Sequence, residues 1–146
     1  MSQRDSFLRF VDECLRADVP YLWGGKSLQA LDCSGLVTLG LYLASGLDLR
    51  QTHNTDMMWN HWEPISGVQT RPGDVALYGG SRPDDVSHVM VLLDGGSVIG
   101  ASGGDSTSTS LRIAASQGAQ VRRYSRADYR SDLRGFRRLP LPLDDA

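Results

Sequence analysis

Residues 33 to 45, CSGLVTLGLYLAS, place the strongest constraint on what this chain can become. Apolar side chains recur at Leu36, Val37, Leu39, Leu41 and Leu43, too densely for a helix with one wet face. The spacing predicts a helix buried on most of its sides, with the rest of the chain arranged around it. Ser45-Gly46 is its stop signal. Its start carries the chemistry. A loop pivoting at Gly24-Gly25 leads into Asp32-Cys33-Ser34-Gly35, so Cys33 falls in the first turn. N–H groups there have no partner within the helix, and the positive end of the helix dipole lies beside them. Both favour thiolate over thiol, and the thiolate is the nucleophile.

Around this centre, residues 4 to 17 read as an amphipathic helix with Phe7, Phe10, Val11, Cys14 and Leu15 on one face, stopped by Asp18-Val19-Pro20. Residues 21 to 32 read as a loop anchored by Leu28 and Leu31. Residues 54 to 62 suggest a short helix capped by Asn54 or Thr55. Its Met57, Met58, Trp59 and Trp62 belong to core, although Trp62 has the reach to touch a cleft. Arg71-Pro72-Gly73-Asp74 is a turn, and Val75 to Tyr78 a strand. Gly79 to Asp85 reads as a surface loop, 88 to 93 as a strand, Asp94-Gly95-Gly96 as a hairpin turn and Ser97 to Ala101 as a third strand. Residues 102 to 110, SGGDSTSTS, make a mobile polar loop. Leu111-Arg112-Ile113, Gln120 to Tyr124 and Gly135 to Leu139 complete the expected strands. Helices first and strands later is an α+β order. Residues 1–146 read as one domain.

The 40% hydrophobic and 22% charged fractions leave no low-complexity or disordered class to consider. Between Arg112 and Arg138 eight arginines stand against Asp128 and Asp132, and the tail Asp144-Asp145 is acidic. A solvated face is the ordinary account of such a run, and no nucleic-acid partner is assigned. Charges interrupt the apolar positions of MSQRDSFLRFVDECLRAD, which therefore lacks the continuous apolar core of a secretory signal. No run approaches the roughly eighteen apolar residues of a membrane span. The expectation is a chain made in soluble form in the cytoplasm. Of two cysteines, Cys14 sits on the apolar helix face as a small core residue. Cys33, in a polar and glycine-rich setting, has no such explanation. No cofactor is expected. His53 and His61 match no zinc-ligand spacing and read as surface or helix-face side chains.

Far downstream, Ser87-His88-Val89 opens the run VMVLL, which would set an imidazole at the start of a strand. A cysteine and a histidine provide the nucleophile and base that amide hydrolysis requires, with Cys33 N–H and the Tyr21 hydroxyl as oxyanion donors. Asp32 would pair with an ammonium group and select a free amino end. It equally suits a helix N-cap. Trp23 reads as core packing.

Four blocks, in order, carry a resemblance. Pro20-Tyr21-Leu22-Trp23-Gly24-Gly25, Asp32-Cys33-Ser34-Gly35-Leu36-Val37, Arg71-Pro72-Gly73-Asp74-Val75 and Ser87-His88-Val89-Met90-Val91 resemble the signature of NlpC/P60 cysteine peptidases over residues 4 to 139. The resemblance implies a papain-like α+β fold, with N-terminal helices, the nucleophile at a helix N-terminus and an antiparallel sheet packed against it. It implies hydrolysis of bacterial peptidoglycan stem peptides, usually between γ-D-glutamate and a diamino acid. It gives Cys33 the role of nucleophile, His88 that of general base, and Tyr21, Asp32 and Ser34 the substrate's amino end. It also implies action at the cell wall or periplasm, a place a phage or secretion machine would deliver such a chain to.

One position departs from the pattern. The family sets a polar residue, often histidine, on the strand after the base; here Val98-Ile99-Gly100-Ala101-Ser102 puts Gly100 in that slot. Glycine has no side chain to orient an imidazole. A backbone carbonyl is the expected substitute, ahead of Ser102 or Asp105. Lys26 and Arg71 flank the blocks; Lys26 could meet a substrate carboxylate, and Arg71 reads as turn surface. A non-catalytic binding module of the same fold, and an amidase or acyltransferase acting on another amide or ester, are the alternative functions.

Overall fold

The computed structural model describes residues 1–80, 82 and 85–143. Parts of the expected 79–85 surface loop (Ser81, Pro83, Asp84) and the acidic Asp144-Asp145 pair lie outside the described residues. Helix α1 (Gln3–Arg16) begins at Ser2, whose side chain accepts the Asp5 N–H at 3.0 Å, and buries Phe7, Val11 and Cys14. A two-stranded hairpin, β1 (Lys26–Ser27) and β2 (Ala30–Leu31), interrupts what the sequence presents as loop. Leu31 anchors it. Leu28 does not: it stands at the hairpin tip, 59% exposed, because the two-residue strands turn it outward.

Helix α2 spans Cys33–Ser45, the range its apolar density predicts, and every residue from Cys33 to Leu41 is buried. Leu36, Val37 and Leu41 are fully enclosed, each stabilising the fold by roughly 1.5–3 kcal/mol relative to exposure. Two glycines let it pack that closely. A Cβ on Gly40 would stand 2.9 Å from the Phe10 ring of α1. One on Gly35 would collide with the Gly25 carbonyl oxygen, so the first turn of α2 lies directly on the Gly24-Gly25 loop.

After α3 (Thr55–His61) comes the sheet: β3 (Pro64–Ile65), β4 (Val75–Gly79), β5 (Val86–Leu92), β6 (Val98–Ser102), β7 (Gln120–Tyr124) and β8 (Leu133–Arg137). It is antiparallel throughout, in the order β3-β8-β4-β5-β6-β7. One face, with Val75, Leu77, Val89, Val91, Ile99 and Val121, shares its core with α1 and α2. The other holds a smaller cluster of Ala76, Tyr78, Met90, Leu92 and Val98 beneath Tyr124, Tyr129 and Phe136. The α+β order expected of the chain is therefore the one it adopts, as helices layered on an antiparallel sheet.

Leu111-Arg112-Ile113 is not a strand. It opens α4 (Leu111–Ser116), because the Ser110 side chain accepts the Ile113 N–H at 3.2 Å and caps a helix there. The Arg71–Asp74 turn has a structural purpose. Asp74, fully buried, accepts from Arg4 (3.2 Å), Arg138 (2.6 Å), the Arg71 N–H (2.9 Å) and the Leu139 N–H (3.1 Å). One carboxylate thus joins the first helix, the turn before β4 and the strand exit near the C-terminus.

Candidate active site

The β5–β6 ladder runs through Val91↔Ile99 and Leu92↔Val98. Beyond these pairs the start of α2 meets β5, where the backbone N–H groups of Val89, Ser34 and Cys33 act to lower the Cys33 thiol pKa. The cleft above it, about 690 Å³, is lined by both Cys33 and His88, each only 7% exposed. Tyr21, Asp32 and Ser34 line the same cleft. Folding therefore collects all five candidate site residues, from three separate segments, around one opening.

Asp32 is a cap before it is anything else. One carboxylate oxygen accepts the Gly35 N–H at 2.6 Å and the Ser34 hydroxyl at 3.2 Å; the other accepts the Gly24 N–H at 3.0 Å. The second oxygen, with a single donor and half-exposed surroundings, retains capacity toward the cleft. Tyr21, expected to line a pocket rather than the core, does so while 4% exposed. Gly104 lies flat on its ring, where a Cβ would clash. Burial, then the nearby Cys33, Asp32 and Asp105, hold its phenol well above the usual range, so it remains a protonated donor.

The thiol does not behave as its helix position alone predicts. The three N–H groups do draw its pKa down, but burial, assisted by the Asp32 charge, outweighs them and pushes it up to about 12. His88 moves the opposite way, to about 3, through burial and then the positive Arg130 nearby, with Asp132 opposing. The resting pair is neutral thiol and neutral imidazole, not the expected thiolate-favouring arrangement.

The expected carbonyl partner of the imidazole is also replaced. His88 Nε2 is hydrogen-bonded at 3.0 Å to the hydroxyl of Tyr129, in the turn Ala127–Tyr129 between β7 and β8. No signal near His88 or Gly100 in sequence points to this residue, 41 positions downstream of the histidine.

Other residues frame the opening. Trp23 is at the rim and 54% exposed, not in the core, because Leu22 and Leu31 close the loop beneath it. Lys26 lines the same rim, and Arg71 contributes its N–H to the Asp74 turn. His53 faces the cleft with Trp62 behind it, ring centroids 6.1 Å apart; His61 is exposed at the end of α3. Among the described residues no three His, Cys, Asp or Glu side chains converge as metal ligands would. Both cysteines are free. The 103–109 loop forms a wall of the cleft through Gly104, Asp105 and Ser106, and the Ser108 carbonyl holds the Trp23 N–H at 2.9 Å.

Residues 18–131 match the model of the NlpC/P60 family. The chain belongs to that family. It is 31% identical over 85 residues to the Gamma-DL-glutamyl hydrolase of Bacillus subtilis (strain 168), covering 58% of this chain and 20% of that protein. It is 31% identical over 98 residues to the Peptidoglycan endopeptidase RipB of Mycobacterium tuberculosis, covering 58% and 38%. The matches thus span well under half the length of those relatives. An NlpC/P60 family protein from Bacillus cereus superposes over 93% of this chain and 40% of its own, with TM-score 0.69 at 18% identity, a likeness of fold. The papain-like arrangement that the four sequence blocks imply is the one these structures share.

Proposed function

We propose that residues 1–146 form one catalytic domain, a cysteine endopeptidase that hydrolyses bacterial peptidoglycan stem peptides at the γ-D-glutamyl–diamino acid bond. The observation that carries this reading is the shared cleft, with the Cys33 sulfur and the His88 imidazole on its walls and the Asp32–Tyr21 end beside them. The names of the relatives, a glutamyl hydrolase and a peptidoglycan endopeptidase, support the substrate class. No helix among the described residues is long and apolar enough to cross a membrane; the site of action in this reading is the cell wall or periplasm.

With Nε2 engaged by Tyr129, Nδ1 is the nitrogen left for the thiol. Because the resting pair is neutral, proton transfer accompanies attack: Nδ1 takes the thiol proton as sulfur bonds to the scissile carbonyl carbon. The oxyanion forms against the Cys33 N–H and the Tyr21 hydroxyl. The imidazolium then protonates the leaving amine as the C–N bond breaks, giving a thioester. Water, deprotonated by His88, hydrolyses the thioester and restores the thiol. Asp32 faces the free amino end of the stem peptide, with Ser34 beside it, and Lys26 is available to a substrate carboxylate.

The test is digestion of purified muropeptides by the wild-type chain beside Cys33→Ala. New amino ends should appear with the wild type alone, and fragment masses should place the cut after γ-D-glutamate. Equal release by Cys33→Ala, or none by either, would refute the reading.

A further inference from the structure

We propose that Tyr129 is the positioning residue of this site, its hydroxyl holding His88 Nε2 so that Nδ1 meets the Cys33 thiol as the unprotonated nitrogen. The proposal rests on the nucleophile–base reading above and gives it the orienting group that position 100 lacks.

Gly100 cannot serve, and the space its side chain would need is taken. A Cβ there would stand 2.7 Å from Met90 Sδ. The thioether fills the face of β5 and β6 from which a side chain would reach the imidazole. The orienting group therefore arrives from another direction, the β7–β8 connection.

Tyr129 is held by rings on two sides. It stacks on Tyr124 with centroids 3.9 Å apart and planes 3° from parallel, and it meets Tyr78 edge-on at 5.5 Å. The Tyr78 hydroxyl donates to the Ala127 carbonyl at 2.6 Å and so pins the turn that carries Tyr129. Tyr78 also lies directly across the β4–β5 ladder from His88, ring centroids 5.4 Å apart. A surface tyrosine meeting a histidine by chance would not be fixed at ring, turn and neighbour together.

The role the Tyr129 hydroxyl takes fixes the tautomer. When its oxygen accepts Nε2–H, Nδ1 is left bare toward the cleft, the form a general base requires. The other hydroxyl of the stacked pair, on Tyr124, is engaged separately by Ser102 at 3.1 Å. Arg130, next in the chain, is clamped by Asp132 at 2.9 and 2.6 Å, which keeps its charge from standing alone beside the ring. Burial with Arg130 opposes a standing imidazolium, in keeping with a base that is charged only in transit.

The decisive measurement is ¹⁵N NMR of the imidazole in the resting protein, which needs no substrate. Wild type should show Nε2 protonated and Nδ1 bare near neutral pH. Tyr129→Phe keeps the ring and its stack but removes the oxygen; the two tautomers should then mix. Its kcat on muropeptides should fall about 10- to 100-fold with KM held, the cost of a misaimed base. An unchanged spectrum in Tyr129→Phe would overturn the proposal, even if kcat fell. A wild type that cleaves nothing would refute the hydrolase reading alone, because the spectra would still show whether Tyr129 holds the ring.

Discussion

Burial of His88 has a consequence for stability that can be worked through. In the unfolded chain an imidazole titrates near 6.5; in the folded protein burial and Arg130 hold it at about 3. Between these values the unfolded state binds a proton that the folded state refuses, so stability falls as pH drops through 6.5. Below about 3 the loss stops growing. The slope is about 1.4 kcal/mol per pH unit for one proton, hence about 2–3 kcal/mol lost by pH 4.5. Against a total of about 5–15 kcal/mol for a domain this is a large fraction. Asp48 and Asp132, whose pKa values are lowered by Arg50 and Arg130, act below the ordinary carboxylate range and leave the 6.5-to-4.5 window mostly clear. His53, lowered by burial and His61, has the same sign and must be subtracted. Urea denaturation of wild type and His88→Gln at several pH values does so. The variant loses the Tyr129 bond, a constant offset, but also the titration. Its midpoint should move less on acidification, by about 1–3 M urea at pH 4.5 for an m-value of about 1–3 kcal/mol/M. Parallel curves for the two proteins, within about 0.5 kcal/mol, would show that the imidazole is hydrated and the burial argument wrong.

Three further outcomes are expected. In a Cys14→Ala background, alkylation of Cys33 should be slow at neutral pH and keep rising above about pH 10, as a thiol at about 12 requires; a plateau by pH 7 would reveal a preformed thiolate. Asp32→Asn keeps the Gly35 cap but removes a charge that raises the thiol pKa, so alkylation should shift to lower pH. Cleavage of peptides with a free amino end should fall about tenfold while blocked peptides are spared, a loss of about 1.4 kcal/mol; equal loss on both would leave Asp32 a cap alone. Asp74→Ala leaves Arg4 and Arg138 without their shared buried carboxylate and should cost about 3–5 kcal/mol by urea denaturation.

What the sequence makes legible here is local. The bounds of α2, the Asp32 cap and the strand bearing His88 follow from periodicity and turn chemistry within a few residues of each other. Trp23 and Leu28 stand exposed where their apolar character suggests core or anchor, because a loop's apolar residues give no sign of which way a two-residue strand will turn them. Leu111-Arg112-Ile113 alternates like a strand, and only the Ser110 cap betrays the helix. The thiol illustrates a deeper limit. Helix position predicts a lowered pKa, and that pull is present, but enclosure by distant segments decides the direction. Tyr129 was invisible for the same reason. Its partner lies in another strand, and its place is set by stacking on Tyr124 and by a turn pinned through Tyr78.

The Val89 N–H that draws the Cys33 thiol pKa down belongs to the peptide link joining residue 88 to residue 89. In the proposed mechanism, nucleophile and base are thus coupled through one rigid planar unit of main chain, on the stretch of β5 where ladder pairing to β6 has ended. Variation among descendants can redecorate the rim at Trp23 or Lys26 and change what enters. Rerouting that single peptide would displace both groups of the proposed mechanism at once.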